Sequence, residues 1–221
     1  MHRPALDRLS FLRGWLNLYL LDTPAGPVLV DAGTPGMSGW IERRLVERGL
    51  RVSDLAGVVL THFHVDHAGC AAWLSRRGVP VLALADEVPI LAGTAPHPGY
   101  GRVGGRLLLA LERAVVPPVP LPGVRALQAG DRLFDGDWTV VSAPGHTPGS
   151  LALFQETTGD LLSGDTLVSD FDWPRGPHPL FSSDVDGGRA SARRLLELEP
   201  RVVWPAHGRP LPPDAWGRLL R

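Results

Sequence analysis

Residues 61–67 read THFHVDH and place three histidines and an aspartate within six positions, directly after the apolar run GVVL. Imidazoles and carboxylates crowded this closely are costly to bury unless something pairs with them. Three further groups stand in the same local setting, an apolar stretch, then small residues, then a donor. His146 follows WTVVS in APGHTPGS, Asp165 follows DLL in SGDT, and His207 follows RVVW in PAHG. Together His62, His64, Asp66, His67, His146, Asp165 and His207 offer only nitrogen and oxygen donors. Such a set suits zinc, and suits iron or manganese nearly as well. Seven donors exceed one tetrahedral site and fit two divalent ions about 3.5–4 Å apart. On that reading His62, His64 and His146 hold the first ion, Asp66, His67 and His207 hold the second, and Asp165 bridges them. His2, His97 and His178 read as ordinary hydrogen-bonded histidines. Cys70, among alanines one helical turn beyond His67, reads as a small core residue.

The elements that must position these donors are short and alternate. NLYLLDTPAGPVLVDAG (17–33) predicts two strands around a Thr-Pro-Ala-Gly turn. The spacing of Trp40, Ile41, Leu45 and Val46 predicts a helix that stops near Gly49. LAGVVLTH is a buried strand, HAGCAAWLSRRG a short helix ending at Gly78, and VPVLAL another strand. Further strands lie in RLFDGDWTVVS, SLALFQETTGDLLSGDT and RVVWPAHG, and GGRASARRLLELEP is an amphipathic helix. His62, His64, Asp66 and His67 cannot share one face of a strand or helix. They are expected on an irregular loop at a strand end, where folds of this kind place chemistry. The alternation predicts an α/β sandwich with helices outside, and no repeat or linker divides it.

Composition narrows the partners. The chain has 221 residues, a net charge of −1 and 44% apolar residues. That balance speaks against nucleic acid or an anionic membrane held by bulk electrostatics. Every basic residue is arginine, so no lysine is available as a base or Schiff-base former. One cysteine excludes a disulfide framework. No apolar run has the length of a membrane span, and the first residues lack the apolar core of a signal peptide. A cytoplasmic protein acting on a small molecule, with a homodimer as the possible assembly, is the expectation.

The string VDAG, THFHVDH, GHTPGS, GDT and PAHG, in this order from Asp31 to His207, resembles the metallo-β-lactamase fold superfamily. The resemblance implies a single domain over 1–221, a four-layer αββα sandwich with a dinuclear metal site, and hydrolase chemistry. It also implies that Asp31, the VDAG aspartate, supports the metal loop from behind. Two ions lower the pKa of a shared water and polarise a carbonyl, which suits attack by hydroxide on a small ester, thioester, lactone or amide. Asp66 then orients the nucleophile or passes a proton to the leaving group. The alternative is an oxidoreductase similar to the persulfide dioxygenases, which hold one iron with part of the same string.

Subgroup features are missing. There is no lysine to clamp a β-lactam carboxylate. Fourteen residues follow His207, too few for the helical domain of glyoxalase II. Forty-one separate Asp165 from His207, too few for a nucleic-acid-processing insert. Tyr19 and Tyr100 both precede Asp165, whereas the acyl-homoserine-lactone hydrolases carry a tyrosine after it. Substrate choice is therefore expected in a variable, lid-like segment at about 86–123, with Tyr100 a candidate substrate contact. The loop at 170–184, with Phe171, Trp173 and Phe181, is the second candidate wall.

Overall fold

The computed structural model describes residues 5–115, 119–170 and 173–217. Its central strands are buried on both faces, which explains why they are continuous apolar runs in the sequence rather than alternating ones. In β2 (Leu16–Thr23), Leu18 and Leu20 enter one core cluster while Tyr19 and Leu21 enter another. In β8 (Leu151–Gln155), Leu151 and Leu153 point one way and Ala152 and Phe154 the other.

A six-stranded sheet runs in the order β1-β2-β3-β4-β5-β6. Here β1 is Leu6–Phe11, β3 Gly26–Val30, β4 Gly57–Val59, β5 Val81–Leu84 and β6 Arg125–Leu127. The first three strands are antiparallel neighbours and the last three continue in parallel from β3. A second sheet has the order β12-β9-β8-β7, from β7 (Trp138–Ser142), β9 (Asp160–Gly164) and β12 (Val202–Pro205). The strands β10 (Val168–Asp170) and β11 (Trp173–Arg175) pair with each other.

Three apolar clusters separate four layers. The first packs Ile41 and Leu45 of α1 (Ser38–Val46), Leu74 of α3 (Ala71–Ser75) and Leu91 of α4 (Val88–Leu91) on the outer face of the large sheet. The second lies between the sheets and includes Val30, Val59, Trp138, Leu153 and Leu162. The third packs Ala192, Leu195 and Leu196 of α6 (Val185–Leu196) on the outer face of the small sheet. The αββα sandwich expected from the sequence is the fold. Among the described residues no helix is long and apolar enough to cross a membrane.

The structure corrects several local expectations. β1, β6 and the β10–β11 pair were not anticipated. β1 carries Asp7, Arg8 and Ser10 and buries only Leu9 fully, as an edge strand can. The short helix expected at 67–78 is two pieces, α2 (Val65–Ala68) and α3. Between them the backbone bonds to the VDAG segment instead: Gly69 N–H to Gly33 C=O at 2.8 Å and Cys70 N–H to Ala32 C=O at 3.2 Å. A Cβ on Gly69 would lie 2.4 Å from Pro35. The ligand-rich stretch is also less irregular than expected, because Asp66 and His67 sit on α2 and only His62 and His64 lie on open loop.

Candidate metal centre

All seven donors predicted from the sequence converge at the strand ends where the two sheets meet. The β4–α2 junction delivers His62, His64, Asp66 and His67. The β7–β8 loop delivers His146, the end of β9 Asp165 and the end of β12 His207. Cys70 is buried, with its thiol on the Thr34 carbonyl at 3.1 Å, and takes no part.

Three nitrogens form the first cluster. His62 Nε2 lies 3.0 Å from His64 Nδ1 and 3.2 Å from His146 Nε2, and the last two are 2.9 Å apart. The second cluster joins Asp66, His67 and His207. Asp66 Oδ2 is 3.6 Å from His67 Nε2 and 3.3 Å from His207 Nε2. Asp165 faces both clusters. Its Oδ1 is 3.5 Å from both His67 Nε2 and His207 Nε2, and its Oδ2 is 3.4 Å from His146 Nε2.

Hydrogen bonds on the far side of the rings decide which nitrogen faces inward. Thr61 Oγ1 donates to Asp31 at 3.0 Å, and so accepts from His62 Nδ1, also at 3.0 Å. Ser182 donates to the His178 carbonyl at 2.7 Å and accepts from His146 Nδ1 at 3.2 Å. His67 Nδ1 donates to Asp31 Oδ2 at 2.8 Å, and His207 Nδ1 to the Trp15 carbonyl. Each of these four rings therefore turns its Nε2 toward the others, and on His62 and His146, whose pKa values are depressed, that nitrogen is bare. The lone pairs of His62 Nε2 and His146 Nε2, 3.2 Å apart, repel unless a cation lies between them. His67 Nε2 and Asp165 Oδ1 are also buried with no hydrogen-bond partner. A buried acceptor left this way is costly, and a metal ion satisfies it. The donor set fits divalent cations on both counts.

Electrostatics divide the clusters in the same way. Burial and the neighbouring imidazoles push His62 and His64 well below the usual histidine range, and push His146 down to about 3. The first cluster is thus held as neutral ligands. Burial also works against charge on His67 and His207, but the carboxylates of Asp66 and Asp165 outweigh it, raising them to about 10 and about 9. Burial opposes the Asp66 carboxylate, yet His67 and His207 hold its pKa well below the carboxylate range.

Asp31 lies directly behind the His62–His67 stretch. Besides His67 it accepts the Thr61 N–H at 2.8 Å. It does so from a left-handed backbone conformation, φ 63°, in which Asp and Asn are the favoured side chains after glycine.

Several supports were not visible in the sequence. Asn17 donates to the carbonyls of Pro205 (3.1 Å) and Gly208 (2.8 Å), and Tyr19 donates to Pro205 at 2.6 Å, so β2 fastens the His207 loop. Glu87, fully buried, accepts from Phe63, Thr147 and Gly149. Each partner lies tens to nearly two hundred positions away, so no local spacing announces them.

Aromatic rings flank both clusters. Tyr100 is buried with its ring 5.4 Å from that of His64, and Phe181 lies 6.0 Å beyond it. His97, read as an ordinary hydrogen-bonded histidine, accepts the Gly99 N–H at 3.0 Å, and its ring also stacks 6.1 Å from His64 and meets Phe63 edge-on at 4.4 Å. On the other side Trp15, half exposed, lies 6.3 Å from His207. The expected helix in 86–123 is α5 (Val103–Val115). Its Gly105 leaves no room for a Cβ beside Tyr100 and Leu180. Phe171 and the side chain of Trp173 lie outside the described residues, as does His2.

Layered αββα architecture with imidazoles and carboxylates gathered at the seam of two sheets defines a class of metal-dependent enzyme. Residues 16–207 match the sequence model of the metallo-β-lactamase superfamily, and the chain belongs to that superfamily as a metal-dependent hydrolase. It is 28% identical over 214 residues to the probable metallo-hydrolase YflN of Bacillus subtilis, covering 88% of this chain and 81% of that one. It is 29% identical over 152 residues to a hydroxyacylglutathione hydrolase of Bdellovibrio bacteriovorus, covering 68% of this chain and 47% of that enzyme. Among solved structures, TTHA1623 in a di-iron-bound form superposes with a TM-score of 0.73 at 30% identity, covering 96% of this chain and 98% of that one.

Proposed function

We propose that the chain is a dinuclear-metal hydrolase of a small ester or thioester, with lactones and amides the nearest alternatives. The observation that carries this reading is Asp165, whose two carboxylate oxygens face two separate clusters of three donors. His62, His64 and His146 would hold one ion and Asp66, His67 and His207 the other, with Asp165 shared between them. When bound, the pair supplies a water of lowered pKa and polarises the substrate carbonyl. Asp66, partly open to solvent, orients the attacking water and carries its proton to the leaving heteroatom. Tyr100 lies against His64 and presents its phenol to the substrate. The aromatic rim favours an apolar acyl group, and the relation to a hydroxyacylglutathione hydrolase favours a thioester. Zinc is the proposed metal. Iron is the competitor, because N and O donors do not choose between them and TTHA1623 was solved with two irons. We further assign residues 1–221 to one domain in the cytoplasm, with 86–123 as the wall that sets substrate choice.

The test is metal content per chain after purification without chelator, followed by a panel of esters, thioesters and lactones. Two ions and turnover of a panel member are expected. A stable content of one ion, with Asp66 and His67 uncoordinated, overturns the dinuclear reading. One iron with no hydrolysis points to dioxygenase chemistry instead.

A further inference from the structure

We infer that Glu87, in the turn between β5 and α4, is a positioning residue that sets the spacing of the loops carrying His62, His64 and His146. The inference rests on the metal-binding reading above. Glu87 is fully buried and its carboxylate is shared between two loops. Oε2 accepts the backbone N–H of Phe63 at 3.0 Å, and Phe63 stands between His62 and His64. Oε1 accepts the hydroxyl of Thr147 at 2.5 Å and the N–H of Gly149 at 2.8 Å, and Thr147 follows His146. The first loop leaves the large sheet and the second belongs to the small sheet, so one side chain ties the two halves of the first cluster together across the seam.

The choice of a carboxylate follows from donor counting. All three partners donate, and they approach both oxygens. A carboxylate has acceptor capacity on each oxygen, whereas an amide has one acceptor oxygen and a group that only donates. Burial raises the Glu87 pKa to about 7, against the pull of the three hydrogen bonds, so the acid is kept in a place that does not suit its charge. Its neighbours supply a reason: without an acceptor on each side, one ligand loop has a buried N–H facing nothing.

Glu87→Gln keeps size and shape but must turn its amide NH2 against either the Phe63 N–H or the Gly149 N–H. Either way one loop is pushed from the other. Cobalt(II) binding, followed by chelator competition and the visible absorption of the bound ion, reads the two sites separately. In the parent two ions bind. In Glu87→Gln the ion of the three-histidine site is expected to weaken at least about tenfold, the scale for loss of an outer-shell partner. Its absorption band should shift while the second ion keeps its affinity. Thr147→Val removes one of the three donors and should give a smaller loss at the same site. It serves as the test if the Gln variant does not fold. Unchanged affinities in both variants, or equal weakening at both sites in step with lost stability of the metal-free protein, overturns the inference. Failure of the parent to bind a second ion would instead overturn the dinuclear reading, with Glu87 still tested at the three-histidine site.

Discussion

Asp165 offers one oxygen to each donor cluster, so the proposed bridge is tested most directly there. Asp165→Asn replaces a carboxylate that can neutralise two cations with a neutral amide. Metal content and kcat should fall by orders of magnitude while circular dichroism stays that of the parent, since the strands carry their own core. A purified variant with normal metal content and rate would remove Asp165 from the bridge. Asp31 acts one step further out. Asp31→Asn keeps a side chain that tolerates φ 63° but turns a donor toward its partners. Chelator competition should show metal affinity about 10–100-fold weaker, with little change in the thermal midpoint of the metal-free protein. Tyr100→Phe removes only a hydroxyl. It should lower kcat about 10²-fold, as for loss of one oxyanion donor, with metal content unchanged. A kcat within about twofold of the parent assigns Tyr100 to packing.

Strand ends explain why so much of the site could be read from the sequence. His146, Asp165 and His207 each follow an apolar run and small residues, and the His62–His67 stretch begins one residue after GVVL, so strand, turn and ligand are contiguous, and all seven donors lie together in the structure. The sandwich was legible for the same reason: its central strands are buried on both faces and stand out as apolar runs. Asn17, Glu87 and Trp15 were not legible, because what they hold lies far along the chain. The split between α2 and α3 was missed because backbone bonds to 32–33 replace helical ones there. The loop after β7 shows how tightly such elements are fitted. Gly145 has φ 129°, and a Cβ there would lie 2.0 Å from the Gly188 nitrogen at the start of α6. Gly145→Ala combines backbone strain with overpacking and should cost about 2–5 kcal/mol, measured by denaturation of the metal-free protein. A loss under about 0.5 kcal/mol would show that α6 can yield.

At the scale of the whole molecule, the two main sheets are successive in the chain, β1–β6 and then β7, β8, β9 and β12, and the donor clusters draw on both. Bound ions therefore fasten one half to the other. An ion present at about 1,000 times its Kd adds about 4 kcal/mol to stability, so chelation should lower the thermal midpoint clearly. No change on chelation would mean the halves are held without metal. The bonds from Asn17 to Pro205 and Gly208 join positions 188 and 191 apart in sequence. Closing loops of that length is entropically costly until most of the chain is in place. The His207 loop should thus dock after the rate-limiting step of folding, and the second site should be completed only then. Contacts absent from the transition state act on escape from the native state rather than on arrival. Stopped-flow mixing with denaturant should find that metal slows unfolding by orders of magnitude and leaves refolding nearly unchanged. Such an enzyme is guarded by the lifetime of its folded form, and a chelator shortens that lifetime before it alters anything about how the chain folds.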